Sequence, residues 1–178
     1  MENIHINTSD LGAVATKLNA GMKIYLSGQV FTARDAAHKR IISMIQAGQA
    51  LPFELDGACI YYTGPTPAPL GAAIGSCGPT TSSRMDIYTP TLLKNGVKAL
   101  IGKGSRSEKV RKAIMENRAL YFCALGGAGA LAAKCVKSSK VIAFEDLGCE
   151  SIRQLELKEF PLMVCIDSRG SDLYKRDI

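Results

Sequence analysis

Residues 78–86 read GPTTSSRMD: four consecutive hydroxyl side chains, Thr80, Thr81, Ser82 and Ser83, then Arg84 directly behind them and Asp86 two positions on. A guanidinium can clamp a carboxylate through two parallel hydrogen bonds, and a neighbouring hydroxyl can pass a proton if its conjugate base is stabilised. A helix beginning at about Pro79 or Thr80 would add free backbone N–H groups and the positive end of its dipole, with proline well placed in the first turn. On such a helix Arg84 lies one turn from Thr80, on a shared face. The same residues also describe a capped helix with a surface arginine, so the stretch alone leaves two readings open, anion site or simple cap.

Two further segments carry cations. TARDAAHKR, residues 32–40, places Arg34 and His38 four apart on one helix face with Asp35 beside them. A histidine next to an aspartate is more often a structural hydrogen bond than a catalyst. IGKG, residues 101–104, sets Lys103 between glycines that let the backbone approach a ligand closely. It is not a P-loop, because G-x-x-x-x-G-K-[ST] is absent. LGGAGA, residues 125–130, satisfies only the first half of a dinucleotide fingerprint: Gly127 and Gly129 match, and position 132 is alanine. Close helix packing accounts for those small residues more simply. Cys77, beside the hydroxyl motif, reads as a small packed residue rather than an oxidation point.

These residues must be positioned by alternating strands and helices. KIYLSGQVFTA (23–33) is rich in β-formers, and a helix follows it with Thr32 as N-cap, Gly48 just past its end and a core stripe of Ala37, Ile41, Met44 and Ile45. ACIYYT is a second strand, leading into an irregular Gly- and Pro-rich segment from Gly64 to Pro79. A loop of that length calls for a functional reason. After the opening motif, whose helix runs to about Asn95, come VKALIGKG as strand and turn and SEKVRKAIMEN as a helix capped by Ser107. ALYFCAL then reads as a strand, GGAGALAAKCV as a helix, KVIAFED as a strand, and PLMVCIDSRG as a last strand with a turn. Helices intervene early and strands gather at the end, which predicts an α/β fold with a mixed sheet flanked by helices, in a single domain over residues 1–178.

Composition narrows the function classes. A chain of 178 residues that is 47% hydrophobic and 21% charged can bury a sizeable core. The uncharged run between Arg118 and Lys134 is interrupted by glycines and falls short of a membrane span, and MENIHINTSD lacks a secretory pattern, so no membrane role and a cytoplasmic location are expected. The six cysteines contain no C-x-x-C pair and read as reduced thiols, not as a disulfide frame or a metal site. The net charge of +6 is dispersed; its densest patch, Lys103, Arg106, Lys109, Arg111, Lys112 and Arg118, reads largely as the solvated face of a helix. Aromatics are sparse and no nucleic-acid-reading motif is present, so a small anionic ligand suits the charge and nucleic acid does not.

Taken together, SGQVFTARDAAHKR, IYYTGPTPAP, GPTTSSRMD, IGKG and VIAFEDLGCESI occur in the order and at about the spacing found in the β subunit, or C-terminal domain, of class I iron-sulfur fumarate hydratases and L(+)-tartrate dehydratases. The resemblance runs from about Leu18 to Leu173. It implies a swivelling-type β/β/α domain and a hydro-lyase acting on a small dicarboxylate. It also implies a [4Fe-4S] cluster held by three cysteines of a partner α subunit and by none of this chain, hence a hetero-oligomer, or a homodimer when isolated. By the same resemblance Arg34, Arg84 and Lys103 bind the substrate, and Arg84 and Thr80 serve catalysis, Thr80 exchanging the carbon-bound proton. Asp35, His38, Thr81 and Asp86 support them. Two other readings stay open beside it: a carboxylate-binding or regulatory module without catalysis, and a nucleotide-binding domain resting on LGGAGA and IGKG.

Overall fold

The computed structural model describes residues 4–124 and 129–175. Its strands are β1 (Ile4–Asn7), β2 (Lys23–Thr32), β3 (Cys59–Tyr61), β4 (Ala99–Gly102), β5 (Leu120–Ala124), β6 (Val136–Ala143) and β7 (Ile152–Ile166). The α-helices are α1 (Leu11–Val14), α2 (Asp35–Gln46), α3 (Thr89–Lys94), α4 (Glu108–Glu116) and α5 (Gly129–Cys135), with 3-10 turns that include Ser82–Met85 and Glu145–Glu150. Strands β1 to β5 lie side by side, parallel and in chain order. The long β7 runs antiparallel to β2, β5 and β6. Leu162 and Met163 of β7 pair with Ile24 and Lys23 on one side and with Ala124 and Cys123 on the other, so β7 closes β2, β3, β4 and β5 into a ring. The mixed sheet with flanking helices expected from the sequence is therefore present.

Alternation along the strands feeds two cores. Tyr61, Ile101, Phe122 and Val164 join Leu26 and Val30 in one, while Ile60, Leu100, Tyr121 and Cys165 meet Ile41, Leu92, Val110 and Ile114 from α2, α3 and α4 in the other. Central strands buried on both faces explain why ACIYYT and ALYF read as continuous apolar runs. Among the described residues no helix is long and apolar enough to cross a membrane.

Several boundaries differ from the sequence reading, each for a physical reason. Thr32 is the last residue of β2, not a helix cap: its hydroxyl bonds Ser151 O and accepts the Arg153 N–H. Helix α2 starts three residues later and takes its cap from afar, the Glu150 carboxylate accepting the Ala36 N–H at 2.8 Å. Ala37 and Ile41 are buried as expected and Met44 and Ile45 only partly, while His38 joins the core instead. The single helix expected from Pro79 to Asn95 is split into the turn at Ser82–Met85 and α3, because Pro90 has no N–H to donate and its ring would clash with the carbonyl four residues back in a continuous helix. Strand β6 stops at Ala143, where Phe144 turns left-handed (φ 57), and β7 begins well before Pro161. Residues 125–128 of LGGAGA lie outside the described residues, and α5 follows them.

Candidate active site

The chemistry-bearing residues gather at the carboxyl ends of the parallel strands β2, β3 and β4. Arg34 sits two residues beyond β2, as the N-cap residue of α2 in extended backbone. Lys103 follows β4 immediately, and Thr81 forms an isolated parallel bridge to it. Two backbone bonds fix the intervening loop against these strand ends: the Thr80 N–H donates to Tyr62 O at 2.8 Å and the Ser82 N–H to Lys103 O at 2.9 Å. Those donors are spent on the sheet. Two of the N–H groups expected to be free at a helix start are therefore occupied.

Arg84 Nη2 donates to Thr80 Oγ1 at 2.7 Å, and its Nε lies 3.2 Å from Asp35 Oδ1. The other oxygen of Asp35 lies 3.9 Å from Arg34 Nε, and Arg34 Nη2 is 3.6 Å from Glu150 Oε1. Thr80, Arg84, Asp35, Arg34 and Glu150 thus form one continuous polar chain. Arg34 is 25% exposed and Arg84 46%, so both guanidiniums remain open to a ligand. The Lys103 side chain is exposed at the same strand ends. Gly64 clears the path of Arg34, since a Cβ there would fall 2.8 Å from Arg34 Nη1 and 2.9 Å from its Cδ.

His38 and Asp86 lie behind this chain. His38 is fully buried, and burial pushes its pKa down to about 4, so it is neutral at physiological pH. Its Nδ1 donates to the Arg34 carbonyl at 2.8 Å, the carbonyl being only an acceptor. Its contact is with the Arg34 backbone, not the guanidinium. Asp86 receives Arg106 Nε and the Ser107 N–H, each at 2.7 Å. Cys77 is packed: it is fully buried, burial lifts its thiol to about 11, and its carbonyl accepts the Tyr61 hydroxyl.

Sequence reasoning gave no role to Glu150, although it lies within the quoted VIAFEDLGCESI block. What signals it is a carboxylate with an unassigned role in that block, brought to α2 by Arg40, whose guanidinium pairs Asp146 with two 2.8 Å bonds. Of the two glycines flanking Lys103, Gly104 faces open space and Gly102 is crowded from within the fold. A Cβ on Gly102 would stand 1.9 Å from Ser82 Oγ and 2.9 Å from Tyr62 Cδ2, so its space belongs to the buried hydroxyl of the motif itself. Gly102→Ala should therefore cost about 1–3 kcal/mol of stability by overpacking, read as a lowered denaturation midpoint at unchanged slope.

Among the described residues no group of three or more His, Cys, Asp or Glu converges as a metal site. Of the free cysteines, Cys59, Cys77 and Cys165 are buried, Cys123 and Cys135 partly buried and Cys149 exposed. Brief alkylation of the folded chain should mark the exposed Cys149 and the half-buried Cys123, whose thiol is made more acidic by its hydrogen bonds, and leave Cys77 unmodified until denaturation, as peptide mass mapping would show.

The fold thus brings two arginines, a lysine and a threonine to the carboxyl ends of neighbouring parallel strands. Residues 1–177 match the model of the family described as Fumarase C-terminus, and the chain belongs to that family. It is 36% identical over 160 residues to fumarate hydratase 2 of Leishmania major, covering 89% of this chain and 28% of that protein. With the anaerobic class I fumarate hydratase of Escherichia coli K12 it shares 35% over 156 residues, 86% of this chain and 28% of the enzyme. A Methanocaldococcus jannaschii protein provisionally named L(+)-tartrate dehydratase subunit beta is 36% identical over 165 residues, which cover 89% of this chain and 85% of that one. The chain thus spans just over a quarter of these fumarate hydratases and most of the subunit-sized relative.

Proposed function

We propose that this chain is the substrate-clamping β-type subunit of a hydro-lyase that adds water to, or removes it from, a small dicarboxylate such as fumarate/malate or L-tartrate/oxaloacetate. The observation that carries the reading is the Thr80–Arg84–Asp35–Arg34 contact chain at the strand ends. The subunit beta name of the archaeal relative supports a partner α subunit and a hetero-oligomer. The [4Fe-4S] cluster belongs to that partner in this proposal, where it supplies a Lewis acid for the substrate hydroxyl.

This chain's own residues do the rest. One substrate carboxylate enters between Arg84 and Arg34, where Asp35 now holds both guanidiniums, and Lys103 takes the other. Cations there offset the charge that grows on the carboxylate as the neighbouring C–H bond breaks. Thr80, having given its own proton to solvent, takes up the carbon-bound proton and returns to the neutral alcohol, its alkoxide held meanwhile by the Arg84 hydrogen bond. Anaerobic co-expression with an α-type chain, followed by assays on malate and on both tartrate enantiomers, tests the proposal. Turnover of one of them by the pair, and of none by this chain alone, supports it. A stable pair with a full cluster complement that turns over none would leave the carboxylate-binding module as the better description.

A further inference from the structure

Arg106, which looks in sequence like one more surface cation, has no exposed side-chain area at all. Its Nε bonds Asp86 Oδ1 at 2.7 Å, and its Nη2 bonds Thr89 Oγ1 at 2.7 Å and lies 3.4 Å from the Tyr62 hydroxyl. The guanidinium carbon sits 5.3 Å from the Tyr62 ring centre and 4.9 Å from that of Tyr121. The second oxygen of Asp86 holds the Ser107 N–H, while the Tyr121 hydroxyl donates to Ser82 Oγ or Gly104 O. The bonds to Asp86, Thr89 and Ser82 join the segment from Thr80 to Thr89, which carries Arg84, to the turn carrying Lys103 or to β5, and those to Tyr62 and Gly104 tie that turn to the strands beneath.

A buried ion pair of this kind is poor evidence for stability, because desolvation consumes most of its attraction and apolar residues of similar size often serve as well. Arg106 Nη1 has no hydrogen-bond partner, so the pair is not optimised for stability either. What a planar guanidinium with directed donors adds over an apolar side chain is a fixed distance and orientation. We infer that Arg106, through Asp86 and Thr89, is a positioning residue: it sets the spacing between the Arg84–Thr80 pair and Lys103, and so selects ligands with two carboxylates over those with one. This inference rests on the proposed function, which assigns the two substrate carboxylates to those two groups.

The test uses the assembled complex and the double variant Asp86→Asn/Arg106→Met. That variant removes both charges, keeps an acceptor for the Ser107 N–H and fills the guanidinium's place with an apolar chain. Succinate and propionate, with two carboxylates and one, are titrated calorimetrically alongside thermal melting and steady-state kinetics. The expected result is a melting temperature within about 4 °C of the parent and succinate binding at least about tenfold weaker, with propionate binding little changed and kcat/KM down by about a hundredfold. Parent-like succinate binding and kcat/KM in the folded double variant would overturn the inference, since a merely structural pair is replaceable. Should that variant not fold, Arg106→Lys decides: it keeps the charge and loses the second arm, and an unchanged succinate-to-propionate ratio overturns the inference. Arg84→Ala run in parallel separates the two levels. If it too leaves succinate binding intact, the proposed function has failed; if it abolishes binding while the double variant does not, only the role of Arg106 has.

Discussion

Arg84→Ala lowers kcat/KM of the assembled enzyme by about a thousandfold, the upper end of what removing one preorganised donor costs, while leaving the subunits associated. The effect is large because the side chain does two things at once. Its Nε faces Asp35 Oδ1 at 3.2 Å, the place where a substrate carboxylate is to be received, and its Nη2 holds Thr80 Oγ1 at 2.7 Å. Alanine removes the clamp and strips the hydroxyl of the cation that makes its oxygen useful. Stability barely changes, because the guanidinium is nearly half exposed and an ion pair so placed contributes little. Arg84→Lys keeps the charge but cannot direct two donors from one plane, so it recovers only a small part of the loss. The measurements are anaerobic steady-state kinetics, gel filtration of the complex and a melt. Near-parental turnover in the alanine variant would sink the site assignment.

What the sequence made legible was the part of the site that depends on local spacing. Arg34, Asp35, Thr80, Arg84 and Lys103 were readable because the first two are adjacent, Thr80 and Arg84 are four apart, and Lys103 stands at a strand's end, where a turn must follow. The backbone behind the Thr80–Arg84 contact nevertheless differs from the helix that the spacing predicts. A helix was expected to align them, yet Thr80 lies in a loop stitched to β3 and Arg84 in a single 3-10 turn that brings the guanidinium back. Spacing predicted proximity, and a different backbone delivers it. The residues that escaped are those whose partners are remote in the chain. Glu150 caps α2 from 114 positions away. Arg106 reaches Asp86 across 20 and Thr89 across 17, and nothing in KGSRSEK distinguishes a buried arginine from its solvated neighbours. The α/β class was legible because apolar runs of strand length alternate with helix periodicity. The ring closed by β7 was not, since SIRQLELKEF mixes charges into a strand whose three partners appear only on folding.

Thr80→Ala, by contrast, removes turnover and spares binding. The threonine hydroxyl contributes no charge to the clamp, so succinate should bind the variant about as tightly as the parent, and the loss should fall on kcat, by about a hundredfold or more as for removal of a positioned acid–base group. A threonine alcohol is a weak base in water, and the adjacent guanidinium at 2.7 Å favours its deprotonated form here. Thr80→Ser preserves the oxygen and the Arg84 bond while deleting one methyl group, and should retain turnover within about tenfold, since the chemistry resides in the hydroxyl. A purely structural threonine would show a different pattern. Alanine would then lower the melting temperature, and the serine variant would follow stability rather than the presence of the hydroxyl. Exchange of the substrate's carbon-bound hydrogen with deuterated solvent gives a second reading: the parent and serine enzymes should wash it in, and the alanine enzyme should not. Undiminished kcat and exchange in Thr80→Ala would reassign the proton to another group while leaving Arg84 and Arg34 as the carboxylate clamp.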